Sequence, residues 1–471
     1  MSEMGVKPTT FALFVGTRQF FPGKYIDQAR TEIPAALKAL GNPFIEFPAD
    51  QTPTGGIETT ADGQKFANWL DANKGKYGGV ILSMPNFADE RGAVAALKNA
   101  GVPIYIQTYP DRLDLMGPDD RRDGFCGRNS IADNFCQYGV PFTVLEPATL
   151  APTDPRFKEQ VQYFDSVCRV ANGMKDLRVG AIGARTSAFK TVRIDEVALE
   201  RARISMETYD LSRVFKRMEA VKESDPAYQA RVQGLQQYSR WPGNSAQALP
   251  TIARLGVVLD QIIKDDGLNA FGLRCWDEMQ EYLRISPCVL MSQYNDKGMP
   301  AGCEVDMGNA VTMYALMQAS GEPVACLDWN NDYGDDPSKC ILFHCGPVPQ
   351  GMMKDQGWID DHQIIKHTLG EECGYGCNQG RIKSGPLTFA SMRTEKGKPG
   401  FYAGQGRFTE DPIPENFFGC AGVSEIPDLQ RVMRYVQENG HRHHVSVTPG
   451  HVADALYEGL TKYRGMDVAL L

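Results

Sequence analysis

Short apolar runs alternate with helical patterns through the opening third of the chain, and this alternation constrains the fold more than any other feature. The runs at 11–15, 78–84 and 102–106 predict buried strands. Apolar residues at helical spacing occupy 29–37 and 93–97, between these strands. Because strands joined through a helical crossover run parallel, the order strand, helix, strand predicts a doubly wound domain built on a parallel sheet.

Two further regions follow this first domain. A connection with three prolines at 145–155 precedes a second strand–helix series that begins at 177–183. The stretch 385–409 is rich in Thr, Gly and aromatic residues at short spacing, which predicts antiparallel strands in a small barrel or sandwich. We therefore expect an α/β protein with two Rossmann-like doubly wound domains, residues 1–172 and 173–325, followed by a C-terminal domain, residues 326–471, with a β-rich, barrel-like part.

Composition narrows the functional classes. Lys and Arg number 49 against 58 Asp and Glu, a net charge of −9 that argues against a general nucleic-acid binder. Neither a G-x-G-x-x-G nor a G-x-x-x-x-G-K-[ST] phosphate loop follows a predicted strand, which points away from NAD and ATP. No apolar run approaches the ~20 residues of a membrane span. Residues 1–5 do not begin a secretory signal, and the 12 cysteines show no small-scaffold disulfide framework. We therefore expect a cytoplasmic protein with reduced thiols.

Imidazole chemistry is confined to the C-terminal part of the chain, because all seven histidines lie between His344 and His451. Two carboxylates stand near that part: Glu304 closes a short extended piece before a predicted helix, and Asp328 ends an apolar run. The next predicted strand, 340–343, ends at His344. Consecutive strand ends meet at the edge where a parallel sheet presents its ligands, so we expect these side chains to converge there. The alternative is that Glu304 and Asp328 only cap loops.

His444 is the histidine best placed to bind a metal. If residues 443–448 form a strand, alternation puts His443 on the apolar face and His444 on the polar face. Glu304, Asp328 and His444 then supply two carboxylates and one imidazole. This donor set suits Mn²⁺, Co²⁺ or Mg²⁺, with positions open for a substrate.

The motifs around these residues resemble L-fucose isomerase. Cys-Glu-Val-Asp at 303–306 is similar to that family's first metal-carboxylate motif, and Leu-Asp-Trp at 327–329 is similar to its second. His444, seven residues before His451, matches the metal histidine near the family's C-terminus. The opening segment 14–19 is more similar to the related L-arabinose isomerases. The chain is identified as a divergent, L-fucose isomerase-like member of the L-fucose and L-arabinose isomerase superfamily.

This resemblance implies an aldose–ketose isomerase that acts on a monosaccharide. The enzyme would depend on Mn²⁺ or another divalent ion such as Co²⁺ or Mg²⁺. Glu304 and Asp328 would bind the metal and move protons between O1, O2, C1 and C2 through an enediol, with His444 completing the ligands. His344 matches a further metal histidine of L-arabinose isomerase, but not one of L-fucose isomerase. The family also implies a homo-oligomer, a hexamer, in which the N-terminal domain of one subunit covers the site of another.

The sequence leaves the sugar open. Arginine suits an anionic sulfonate or phosphate group because its guanidinium binds such oxygens bidentately, and four arginines lie in or near predicted strand-end loops: Arg18, Arg185, Arg274 and Arg393. The candidate substrate-binding residues are Arg18, Gln19, Arg274, Trp276 and His344, of which the first two would reach a neighbouring subunit. The alternatives are an isomerase of a sulfonated or phosphorylated sugar, a non-catalytic sugar-binding protein with paired Rossmann-like lobes, and a metallohydrolase.

Overall fold

The structure, a computed structural model, describes residues 6–471 and divides into two compact units. The N-terminal unit comprises residues 7–172 and 458–465, and the C-terminal unit comprises residues 173–457 and 466–471 together with Val6. The expectation about a signal in residues 1–5 lies outside the described residues. Within 6–471, no helix is long and apolar enough to cross a membrane. The division into three domains stays a prediction.

The N-terminal unit is built on a parallel sheet whose two faces are both covered. Its elements are β1 (Phe11–Val15), α1 (Lys24–Leu40), β2 (Phe44–Glu46), α2 (Thr60–Ala72), β3 (Gly79–Met84), α3 (Glu90–Leu97), β4 (Ile104–Thr108), α4 (Gly124–Gln137) and α5 (Phe157–Gly173). The strand order is β2-β1-β3-β4, and each neighbouring pair is parallel. Alternate residues of β1 enter two different cores: Phe14 packs in one, and Phe11 and Leu13 pack in the other.

The C-terminal unit opens with a second parallel sheet of the same strand order. Its elements are β5 (Leu177–Ile182), α6 (Glu196–Arg201), β6 (Ile204–Tyr209), α7 (Leu211–Ala220), α8 (Pro226–Tyr238), α9 (Leu249–Asp266), β7 (Ala270–Leu273), α10 (Glu278–Leu283), α11 (Cys288–Asp296), β8 (Ala301–Cys303) and α12 (Met307–Ser320). The order is β6-β5-β7-β8, again parallel throughout. The predicted pair of Rossmann-like, doubly wound sheets is therefore confirmed.

The remainder of the C-terminal unit is rich in strands. Its elements are β9 (Ala325–Tyr333), β10 (Asp336–His344), β11 (Trp358–Asp360), α13 (Lys366–Leu369), β12 (Cys377–Arg381), β13 (Gly385–Glu395), β14 (Lys398–Phe408), β15 (Cys420–Glu425), α14 (Leu429–Glu438), β16 (His444–Pro449), α15 (Ala453–Lys462) and β17 (Asp467–Leu470). In the described chain, β15 pairs with both β10 and β14, so β15, β10, β9, β16, β13 and β14 form a closed antiparallel ring. The predicted barrel-like part is confirmed.

The expected parallel-sheet edge at Asp328 and His344 is wrong. Strand β9 does not end at Asp328 but continues to Tyr333, and it runs antiparallel to both β10 and β16. The physical reason is a change of environment along the strand: its first half is buried, whereas the polar half after Asp328 is largely exposed and therefore resembles a loop in sequence. Two residues separate β9 from β10, which permits a hairpin and excludes a parallel crossover.

Candidate metal centre

Glu304 is positioned by a strained turn at the carboxyl end of β8. Its φ is 52° and that of Val305 is 57°, so two consecutive non-glycine residues adopt the left-handed conformation. This conformation is unusual for any side chain and more so for a β-branched one, and such strain is retained mainly where function requires it. The turn leads into α12, and the Glu304 side chain is 4% exposed. Glu304 thus immediately follows a short strand and precedes a helix, in agreement with the predicted position.

Strand register brings Asp328 and His444 together. Asp328 of β9 lies directly opposite His444 of β16 and directly opposite Phe343 of β10. Directly opposite residues of an antiparallel pair carry their side chains on the same face, a few ångströms apart. His344 follows Phe343 at the end of β10, and its ring centroid lies 5.5 Å from that of His444. The two carboxylates come from different layers, Asp328 from the closed ring of strands and Glu304 from the second parallel sheet.

The four side chains converge on a small volume, and we call them the carboxylate–histidine cluster: Glu304, Asp328, His344 and His444. His444 Nε2 lies 3.1 Å from Glu304 Oε2 and 3.5 Å from Asp328 Oδ1. His344 Nε2 lies 3.9 Å from Glu304 Oε2. Thus the structure brings together the three predicted ligands and also His344, which the sequence named as a further candidate.

The cluster has the chemistry of a divalent-cation site. Glu304 Oε2, Asp328 Oδ1 and His344 Nε2 are buried atoms without a hydrogen-bond partner in the described structure, which is costly unless something else satisfies them. Carboxylate oxygens and imidazole nitrogens are the donors that first-row divalent ions prefer. Three sets of possible ligand atoms each lie within 4.8 Å of one another: Asp328, His443 and His444; Cys326, His344 and His444; and Cys275, Cys303 and Glu304. The residues present therefore fit a bound divalent ion.

The two carboxylates have different proton affinities. Burial alone would raise the pKa of Glu304, but the His444 imidazole and, behind it, His344 lower this pKa to about 2. Burial raises the pKa of Asp328 to about 7; the negative charge of Glu304 adds to this effect and His444 opposes it. Glu304 is therefore ionised throughout the neutral pH range, while Asp328 can gain or lose a proton in that range.

Asp306 and Arg442 hold His444 in position. Asp306 Oδ2 accepts a hydrogen bond from His444 Nδ1 at 3.0 Å, so the other ring nitrogen faces Glu304 and Asp328. Asp306 also caps α12, since its Oδ1 accepts from the backbone N–H of Asn309 at 3.0 Å, and it forms a fully buried ion pair with Arg442. A Cβ at Gly308 would collide with the Arg442 guanidinium. Sequence reasoning missed Arg442, which lies two residues before the start of β16.

Two other residues lie close to the cluster: His443, which the sequence analysis placed on the apolar face, and the predicted Trp276. His443 Nε2 is 3.6 Å from Asp328 Oδ1, and its side chain is 41% exposed. Trp276 follows Cys275, whose thiol lies 3.8 Å from Glu304 Oε1. Arg274 donates from Nε to the Trp276 carbonyl oxygen at 2.7 Å and forms an ion pair with Glu278, so in this structure it braces the loop that carries Trp276.

Arg18 and Gln19 lie in the N-terminal unit. The Arg18 guanidinium pairs with Glu90 and lies 4.1 Å from the centroid of the Phe87 ring. The backbone N–H of Gln19 donates to Glu58 Oε1 at 2.7 Å, and the Gln19 side chain is exposed. Their contact with the site of another subunit stays a prediction.

Comparison with known proteins gives matches at both ends of the chain. The model described as "Fucose/sulfoquinovose isomerase, N-terminal domain" matches residues 12–175, and the one described as "L-fucose isomerase, C-terminal domain" matches residues 342–471.

Three similar curated proteins all carry the name sulfoquinovose isomerase. That of Priestia aryabhattai is 22% identical over 285 residues, which cover 60% of this chain and 62% of the relative. That of Alkalicoccus urumqiensis is 19% identical over 381 residues, or 80% and 83% of the two chains. That of Clostridium sp. (strain MSTE9) is 22% identical over 316 residues, or 65% and 67%.

The matched region thus spans only about three fifths of the length of the Priestia relative. Even so, the two matched domains come from one family and fall at the two ends of the chain in the family's order. The carboxylate–histidine cluster also contains the residues in which the sequence resembles that family. This chain belongs to the L-fucose isomerase-like family.

Proposed function

We propose that the protein is an aldose–ketose isomerase that acts on a sulfonated monosaccharide. The observation that carries the reaction type is the convergence of Glu304 and Asp328 on His444 Nε2, at 3.1 and 3.5 Å. The family models and the name shared by the three relatives support a sugar isomerase and favour the sulfonated substrate. A sulfonated sugar was one of the alternatives that the sequence left open, and it is now the preferred substrate.

The reaction needs two proton-transfer groups beside the same two carbon atoms. Conversion of an aldose to a ketose moves one hydrogen from C2 to C1 and another from O2 to O1, so a base and an acid must both reach the reacting atoms. Glu304 and Asp328 approach one point from two layers of the fold, and a sugar bound there meets both carboxylates.

A divalent ion fits this proposal. Glu304, Asp328 and His444 would hold it, and His344 is a further candidate ligand; we propose Mn²⁺, with Co²⁺ or Mg²⁺ as alternatives. When bound, such an ion would stabilise negative charge that develops on the substrate oxygens. The chain's own contribution is to orient His444 through Asp306, to hold both carboxylates in the strained turn and the strand, and to bind the sugar.

We also propose the assembly that the family resemblance implies, a hexamer in which Arg18 and Gln19 of one subunit reach the site of another. Light scattering after size exclusion tests the assembly directly, and activity measured during dilution tests its role. A fully active monomer at nanomolar concentration would contradict a shared site.

A matched set of substrates tests the proposed function. The Mn²⁺-loaded protein is incubated with sulfoquinovose, glucose 6-phosphate and glucose, and ketose formation is followed by NMR. We expect conversion of the sulfonated sugar with a kcat/KM at least ten times that of glucose. Preference for the phosphorylated sugar would correct the substrate class and leave the reaction. Binding without ketose formation would instead support a sugar-binding protein, and hydrolysis products would support a metallohydrolase.

A further inference from the structure

His362 is a buried histidine with a free ring nitrogen beside the carboxylate–histidine cluster. It is 0% exposed, and its Nε2 makes no hydrogen bond in the described structure. Its other nitrogen, Nδ1, accepts from the backbone N–H of Ile365 at 3.3 Å. A neutral imidazole carries one proton, and since Nδ1 is the acceptor, that proton is on Nε2. His362 therefore presents a buried N–H donor that no group in the described residues accepts.

Ring contacts connect this donor to residues that adjoin the carboxylate–histidine cluster. The His362 ring lies 5.5 Å from that of Trp276 in an edge-to-face arrangement, and 5.8 Å from that of Phe418. Trp276 follows Cys275, the residue in contact with Glu304. On the other side, Phe418 packs 5.4 Å from Phe343, the neighbour of His344 in β10. His362 thus contacts the rings of Trp276 and Phe418, and the neighbours of these two residues adjoin Glu304 and His344.

The loop that carries His362 is held rigidly. Asp361 accepts backbone N–H bonds from His362 at 2.9 Å, from Glu372 at 2.7 Å and from Gly374 at 2.7 Å. The loop also packs closely, since a Cβ at Gly374 would lie 3.0 Å from the His362 Cβ. A buried donor left unpaired on a rigid loop is unfavourable for stability alone, and it is what a preorganised binding site requires.

We propose that His362 is a substrate-binding residue whose Nε2–H donates a hydrogen bond to an oxygen of the sugar bound at the carboxylate–histidine cluster. The inference rests on the proposed isomerase function and adds a specificity-determining contact to it. Sugar hydroxyl and carbonyl oxygens are acceptors of suitable chemistry, and the faces of Trp276 and Phe418 can pack against the C–H groups of a sugar. Burial lowers the pKa of His362 to about 4, which keeps the ring neutral and suits hydrogen bonding to an uncharged oxygen.

Two substitutions separate this role from a structural one. His362→Asn keeps an acceptor for the Ile365 N–H but has no donor at the ε position, whereas His362→Gln places an amide N–H near that position. His367→Asn is the matched control, because His367 is an exposed histidine in the same segment. Steady-state kinetics with sulfoquinovose are measured together with bound Mn²⁺ and melting temperature.

We expect His362→Asn to raise KM about 3- to 10-fold, the range for one lost neutral hydrogen bond, with bound Mn²⁺ unchanged. We expect His362→Gln to restore most of the affinity, and His367→Asn to behave as wild type. If the wild type is active and all three variants have its KM, this inference is overturned and the proposed function is not. The inference would also be overturned if His362→Asn lost bound Mn²⁺ or failed to fold, and His362→Gln showed the same defect. A wild-type protein without isomerase activity on any of the three sugars would overturn the proposed function and this inference with it.

Discussion

The ion pair between Asp306 and Arg442 provides a quantitative test of how the site is supported. In Asp306→Asn the side chain keeps its size and can still cap α12 through its amide oxygen, but its charge is gone. Arg442 is 2% exposed and would then be a buried cation without its carboxylate. His444 would also lose the charged group that fixes the orientation of its ring.

The expected loss of stability is large. Breaking a buried ion pair by removing one partner costs about 3–5 kcal/mol, because the remaining charge stays desolvated. The C-terminal unit contains roughly 290 residues, so its entropy of unfolding near the melting temperature is about 0.6 kcal/mol/K. The melting temperature of the metal-free protein should therefore fall by about 5–8 °C. Loss of the carboxylate behind a metal histidine typically weakens metal binding about 10- to 100-fold, so the Kd for Mn²⁺ should rise by that factor.

Scanning calorimetry and isothermal titration with Mn²⁺ measure the two effects. Asp195→Asn is the matched control, since Asp195 caps α6 by accepting from the Ala198 N–H at 3.1 Å but is exposed. This control should change the free energy of unfolding by less than about 0.5 kcal/mol. If Asp306→Asn melted within 1 °C of wild type, as we expect for the control, and bound Mn²⁺ equally well, the reasoning from burial and charge would be refuted.

Three further predictions concern the cluster itself. His444→Ala should lose the bound divalent ion, whereas His443→Ala should retain it, as measured by metal analysis of the purified variants; the reverse result would move the ligand by one residue. Glu304→Gln and Asp328→Asn should each lower kcat/KM at least ~10²–10⁴-fold, and the double variant should not show the product of the two losses, because both residues serve one reaction path. Near-native turnover in either single variant would remove that residue from the mechanism. Treatment with EDTA should abolish ketose formation and Mn²⁺ should restore it, so unchanged activity in the chelated protein would argue against a metal requirement.

Local patterns in the sequence predicted the parts of the site that depend on near neighbours. The alternation of apolar and polar residues in β16 placed His444 on the polar face, and the structure confirms it: Val445 is in the core of the closed ring, while Ser446 hydrogen bonds to Asn309 of α12. The helix beginning after Glu304 was likewise predictable, because Asp306 is a typical N-cap residue.

Long-range pairing could not be predicted in the same way. Asp328 stands in the middle of a strand because the exposed half of β9 pairs with β10, and a polar half-strand has no apolar pattern to reveal it. The meeting of Asp328 with His444 depends on a strand register that spans more than one hundred residues of sequence. His362 lies in a loop without periodicity, so its burial and its free nitrogen become visible only when Trp276 and Phe418 are placed around it.

The most direct test of the central claim, proton transfer by Glu304 and Asp328 in a sugar isomerase, is a single NMR experiment in deuterated water. The Mn²⁺-loaded protein is supplied with the ketose formed from sulfoquinovose, and the aldose produced in the reverse reaction is observed. Deuterium should appear at C2 of that aldose, because a carboxylate that takes up the substrate's proton can exchange it with solvent before returning it. Formation of the aldose with full retention of the substrate's hydrogen would contradict the enediol route, and the absence of any aldose would contradict the isomerase itself.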